Sequence, residues 1–171
     1  MTRAIYEGPW RIDLQIRPGV RSPVRGAQLA RVVAAGLRAA GAPAPASIGL
    51  ILSDDLELAS LNAEHMGKTG PTDVLSFPLL PAEAFRGGAT VPEQPRPPRT
   101  RLHLGDIVVS VERAIEQADS GRGGHTGDVR WSPAEELRLL VTHGTLHVCG
   151  WDHAEPAEEA AMRSLERQLL N

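Results

Sequence analysis

From Trp10 to Arg17 the chain alternates apolar and polar side chains, with Trp10, Ile12, Leu14 and Ile16 on one side. That two-residue period predicts a half-buried strand, broken by Pro18, Gly19 and Pro23. Gln28 to Ala40 carries Leu29, Val32, Val33, Leu37 and Ala40 at helical spacing, and Gly41 with Pro43 stops the helix. Ala46 to Leu52 is a short apolar run between turn signals, a candidate buried strand. Asp54-Asp55-Leu56-Glu57 reads as a capping box opening a second helix, with Leu58 and Leu61 on its inner face. Thr72 to Phe77 follows a Gly-Pro turn and reads as a strand, as does Leu104 to Ser110, which runs into a helix over Val111 to Ala118. Ser132 and Glu135 form a second capping box with Pro133 at the first helical position, and Leu137, Leu140, Val141 and Leu146 anchor the helix it opens. Ala157 to Leu170 is a last amphipathic helix, whose Met162, Leu165 and Leu169 make a core stripe. Four strands among these helices predict an α+β fold, a small mixed β-sheet of about four strands flanked by helices.

Length and composition narrow the picture. The 171 residues suit one domain over 1–171, large enough to bury most of its apolar surface without cross-links. Residues 79–103, rich in proline, glycine and arginine, read as a long flexible surface loop within it. The lone Cys149 excludes an internal disulfide framework and fits a reducing compartment. No apolar run approaches the length of a membrane span, and the N-terminus lacks the basic and apolar regions of a signal peptide. The expectation is a cytoplasmic protein with no membrane partner. A net charge of −3 argues against non-specific nucleic-acid binding but leaves room for a local basic groove.

The chemistry concentrates in Thr142 to His153, which holds His143, His147 and His153, three of the six histidines. An i, i+4 pair projects from one helical face, and Gly150 can end the helix in the left-handed conformation and return His153 toward the pair. Three neutral imidazoles with a fourth position left for water suit catalytic zinc, one ion per chain, in a zincin-like site on a helix and its exit turn. Imidazole also suits nickel, copper and iron. The metzincin pattern H-E-x-x-H-x-x-G-x-x-H has the same histidine and glycine offsets, but Gly144 stands here where the protease keeps its general-base glutamate. Cys149 reads as a buried apolar thiol. Asp152 is the carboxylate nearest the cage in sequence; it is a candidate base, a support for a ligand histidine, or a local turn bond, and the two structural roles are favoured.

H-G-x-L-H-x-x-G-x-D-H resembles the signature of the YbeY family, bacterial metal-dependent endoribonucleases of ribosomal RNA maturation. Two further stretches are similar to that family's other signatures: Pro71-Thr-Asp-Val-Leu-Ser-Phe-Pro78 and Gly105-Asp-Ile-Val-Val-Ser110. The resemblance implies an α+β fold with the Thr72 to Phe77 strand bordering a catalytic cleft. It implies single-stranded RNA as substrate, in 16S rRNA 3′-end maturation and ribosome quality control, with the 16S precursor and the small ribosomal subunit as partners and no DNA. Asn62, Thr72 and Ser76 then fall on the substrate side, and Lys68 and Asp73 join Asp152 as candidate catalytic residues. Asn62 and Lys68 match the family's lead into the strand, whereas Met66 replaces an arginine implicated in RNA cleavage and His65 replaces an aromatic residue. Methionine cannot stabilise developing negative charge, so either another cation substitutes, with Lys68 the nearest candidate, or nuclease activity is weak. His125 sits where the family often has a Gly-His before the motif helix. Two other readings stand beside the nuclease: an RNA- or ribosome-binding assembly factor with structural zinc, favoured by Met66, and a metalloprotease-like hydrolase, disfavoured by Gly144.

Overall fold

The computed structural model describes residues 1–85, 100–121 and 132–171. In chain order the elements are β1 (Thr2–Glu7), β2 (Trp10–Ile16), α1 (Gly26–Ala39), β3 (Ala46–Ser53), α2 (Asp55–Met66), β4 (Val74–Pro78), β5 (Leu102–Ser110), α3 (Val111–Asp119), α4 (Pro133–Val148) and α5 (Pro156–Leu170). The strands form one mixed sheet in the order β1-β2-β3-β5-β4. β2, β3 and β5 run parallel, while β1 and β4 pair antiparallel at the two edges. The fold is the α+β arrangement expected, with five strands among the described residues in place of about four.

The additional strand is β1. It is mostly exposed and, among the described residues, pairs only with β2, through a hairpin whose two-residue loop is Gly8-Pro9. Gly8 has φ 58, the positive value that a hairpin turn requires at its first central position. In residues 79–103, Ala82–Phe85 forms a short 3-10 turn with Ala84 and Phe85 buried, and β5 begins at Leu102. The expected loop is therefore shortened at both ends, because apolar residues there have a core to enter. The rest of that stretch, 86–99, lies outside the described residues, as does His125.

Alternation along the strands assigns the core. Ile12, Ile48, Leu50, Leu52, Leu104, Ile107 and Val109 face a large cluster completed by Leu29, Val33 and Leu37 of α1 and by Leu137, Val141 and Leu146 of α4. The opposite face holds a smaller cluster of Leu58, Leu75 and Val108 under α2. α4 lies against α1, α3, α5 and the β4–β5 pair, so the helix carrying two of the three histidines is held on several sides.

Two glycines permit that close packing. A Cβ on Gly144 would fall 2.6 Å from Ile107 Cγ2 and 2.9 Å from Val74 Cγ2, and one on Gly36 of α1 would fall 2.9 Å from Thr145 Cγ2. Gly144 thus faces the sheet. The protease glutamate is absent from a position where no side chain fits, which a residue-by-residue comparison with the protease motif does not reveal.

Candidate metal centre

α4 opens as the sequence predicts. The Ser132 side chain accepts from the Glu135 backbone N–H, Glu135 accepts in return from the Ser132 N–H, and Pro133 follows. At the other end Gly150 has φ 84, its N–H donates to the His147 carbonyl, and the Trp151 N–H donates to the Leu146 carbonyl. This pair of bonds around a left-handed glycine is the Schellman closure, which turns the chain sharply back. A Cβ on Gly150 would lie 2.5 Å from that of Ala82, so sterics and backbone conformation both require glycine.

The turn brings His153 to the helical pair. One nitrogen from each of His143, His147 and His153 lies within 4.8 Å of the others. His143 Nε2 and His147 Nε2 are 2.9 Å apart, and the ring centroids of His153 lie 5.6 Å and 5.0 Å from those of His143 and His147. Tetrahedral nitrogen ligands at about 2.0–2.1 Å from zinc stand about 3.3–3.4 Å apart, so the helical pair is nearly at ligand separation. The exposed His153, on a loop, has a ring nitrogen within 4.8 Å of both.

Partners outside the cluster orient the two helical rings. His143 Nδ1 is 2.6 Å from Glu166 Oε1 of α5, and Glu166 is only 2% exposed. A carboxylate that accepts from Nδ1 leaves Nε2 as the ring nitrogen turned toward His147. His147 makes a backbone hydrogen bond with Trp151. Two imidazole nitrogens facing each other at this distance require a shared proton or a cation between them. Burial, followed by repulsion from His143 and His153, lowers the His147 pKa to about 4. His147 is therefore neutral at physiological pH, the state a metal ligand needs. The residues fit a metal ion bound by three histidines.

Beside the cluster lies a cavity of about 170 Å³ lined by His143, His153, Glu159, Met162, Arg163 and Glu166. Arg163 brings a cation to it, paired with Glu159 at 2.5 Å. Sequence reasoning missed Glu166 and Arg163. A signal existed for the first: Glu166 lies four residues after Met162 and beside Leu165, inside the apolar stripe, where a carboxylate is costly without a partner. Nothing in the local sequence marks Arg163.

The other candidate residues occupy different surroundings. Asp152 accepts from the His153 backbone N–H at 2.7 Å, a local turn bond. Asp73 accepts from the Val74 N–H with one oxygen and from Gln117 Nε2 of α3 with the other. Thr72 Oγ1 lies 3.5 Å from the Asp73 carboxylate. Ser76 Oγ donates to the Gly144 carbonyl, and the buried Asn62 donates through Nδ2 to the Gly70 carbonyl. Asn62 also accepts the Lys68 N–H on its backbone carbonyl, so it braces the loop after α2 from both ends. Lys68 has an exposed side chain in that loop and is not among the cavity's lining residues. Met66 is exposed at the last turn of α2. Cys149 is buried, and burial pushes its thiol up to about 12, so it is an inert core residue.

In the third signature, Gly105 has φ 144 and lies where a Cβ would fall 2.4 Å from the Phe77 carbonyl oxygen. Ser110 caps α3 by accepting from the Arg113 N–H, and donates to Asp55 Oδ1. Both residues hold the framework around the site. Asp54 caps α2 by accepting from the Glu57 N–H, but the reciprocal half of the expected capping box is not formed. Glu57 instead meets Arg17, at 2.8 and 2.5 Å, and the Ser53 hydroxyl.

The sheet, the central helix and the three converging histidines define an α+β protein with a constellation that could hold a metal ion on a helix and its exit turn. Residues 24–171 match the family described as Endoribonuclease YbeY, and the chain belongs to that family. It is 38% identical over 160 residues to Endoribonuclease YbeY of Roseiflexus sp. strain RS-1, covering 93% of this chain and 90% of that one. Against Endoribonuclease YbeY of Mycolicibacterium smegmatis the identity is 43% over 125 residues, 73% of this chain and 62% of the relative. In fold it is similar to the solution structure of TM1509 from Thermotoga maritima, with a TM-score of 0.51 at 22% identity, covering 93% of this chain and 86% of that one.

Proposed function

We propose that this protein is a zinc-dependent endoribonuclease that cuts single-stranded RNA, with His143, His147 and His153 holding one ion. The observation that carries the metal site is the 2.9 Å approach of two imidazole nitrogens, with the third histidine turned onto them. Membership of the YbeY family supports RNA as the substrate class. Held by these three histidines, a zinc ion would supply an activated water near neutral pH and Lewis-acid help at a phosphoryl oxygen. Around it, Arg163 supplies the cation that Met66 cannot, facing the same cavity as His143 and His153. A guanidinium there stabilises charge building on the phosphate in the transition state, and Glu159 steadies it. Asp152 acts by fixing the turn that delivers His153, and Asp73, Thr72, Ser76 and Asn62 act by building the edge strand and its approach. Lys68 meets RNA away from the cavity.

The proposed setting is the cytoplasm, with the 3′ end of precursor 16S rRNA on the small ribosomal subunit as substrate and the whole chain acting as one domain. Among the described residues no helix is long and apolar enough to cross a membrane. A second reading, an RNA-binding assembly factor whose zinc is structural, is favoured by Met66. The two separate on turnover. The enzyme reading expects multiple-turnover cleavage of an unstructured RNA, lost on chelation, restored by zinc and weak on the same sequence in a duplex. Tight binding of that RNA without metal-dependent cleavage would replace it with the assembly-factor reading.

A further inference from the structure

We propose that Glu166 is a positioning residue for the metal ligand His143, and that it couples the C-terminal helix to occupancy of the ion. The inference rests on the three-histidine metal reading above and deepens it.

Glu166 is 2% exposed on a helix otherwise seated by Met162, Leu165 and Leu169. A carboxylate in that position is expensive to bury unless hydrogen-bonded to a strong donor. The 2.6 Å contact with His143 Nδ1 has the length of a charge-assisted bond and crosses 23 residues of sequence. Its chemical effect is specific. It fixes the proton on Nδ1, leaves the Nε2 lone pair for the ion and makes the ring a stronger donor, as carboxylates behind metal-bound histidines do. A hydrophobic residue at this position would seat α5 equally well without doing any of this.

The same bond has a mechanical consequence. An ion held by His143, His147 and His153 ties α4 to the loop that leads into α5, and Glu166 ties α5 back to the His143 ring. The ion and the helix share one ligand, so each stabilises the other by the same free energy. Zinc binding therefore protects α5, and a correctly seated α5 tightens zinc.

The test uses the full chain as wild type, Glu166→Gln and Glu166→Ala. Glutamine keeps the shape and a hydrogen-bond acceptor but removes the charge, so it decides the matter should the alanine variant fail to fold. Zinc affinity is measured by competition with a chromophoric chelator, the ligand field by the absorption of the cobalt(II) form, and α5 by hydrogen exchange with and without zinc. The expected result is a loss of zinc affinity of about 10-fold in the glutamine variant, approaching about 100-fold in alanine. Shifted cobalt bands and weaker zinc-dependent protection of α5 should accompany it. Zinc affinity within about twofold of wild type, with unchanged cobalt bands, in Glu166→Gln overturns the proposal. A wild type that binds no zinc overturns the metal reading and this proposal with it. A wild type that binds zinc and cleaves no RNA, with the variants still weakened in zinc binding, removes the nuclease reading and supports the role of Glu166.

Discussion

The Ser76 hydroxyl donates to the backbone carbonyl of Gly144 across 2.9 Å, bonding the edge strand β4 to α4 between His143 and His147. The close approach exists because Gly144 has no side chain, and the metal helix is positioned by the sheet through that gap. Gly144→Ala places a methyl group against Ile107 and Val74, whose β-branched side chains are restricted at χ1. Overpacking of this kind costs about 1–3 kcal/mol, while replacing a helical glycine with alanine returns only about 1 kcal/mol. Net destabilisation is expected, seen as a lower urea midpoint. Gly144→Glu should lose the fold and gain no casein-degrading activity. An unchanged midpoint in the alanine variant would mean that the helix does not sit this close to the sheet.

The metal-free protein should weaken as pH falls from about 6.5 to about 4. In the folded chain His147 titrates near 4, below its ordinary value of 6.5, chiefly because it is buried. Across that window the unfolded chain binds a proton that the native chain does not, so stability falls with pH; below about 4 both forms are protonated and the loss stops growing. A second, more acidic loss comes from Glu57, whose carboxyl is held below its ordinary range first by Arg17. Its contribution is present above the unfolded value of 4.5 and disappears as pH drops through the folded one. Urea midpoints of the metal-free chain at pH 7 and pH 5 test the first effect. The lower midpoint belongs at pH 5, and His147→Gln should flatten the difference; equal wild-type midpoints would contradict the burial of His147.

Arg163→Ala should reduce RNA cleavage by about 100- to 1000-fold, the range expected on removing one preorganised transition-state donor, with zinc content unchanged. Lys68→Ala should raise KM more than it lowers kcat, since its side chain lies in the loop after α2 and outside the cavity. Steady-state kinetics on one short RNA separates the two. Equal kcat in Arg163→Ala and wild type would return the question of the missing cation to Lys68.

Much of this was legible in the sequence because the signals were local. A helix period places His143 and His147 on one face, and only a glycine at position 150 allows the chain to reverse quickly enough to deliver His153. The alternation of Trp10 to Ile16 and the cap at Ser132 are of the same kind. β1 was not legible, since Ala4, Ile5 and Tyr6 fall side by side with no two-residue period and the strand lies exposed at the sheet's edge. Glu166 was hidden for a different reason: its meaning depends on a partner 23 residues away that only the packing of α5 on α4 supplies. Polar residues in a signature are equally ambiguous. Nothing in the letters tells that Asn62 bonds the Gly70 carbonyl or that Ser76 bonds the Gly144 carbonyl, contacts that only the fold supplies.

The most direct test of the central claim compares wild type with His147→Ala in one preparation, with bound metal measured by elemental analysis and both proteins offered the same single-stranded RNA. One zinc per wild-type chain together with cleavage is expected, and the loss of both in the variant. Equal cleavage by the two proteins, or cleavage undiminished in a variant shown to be free of metal, would contradict it.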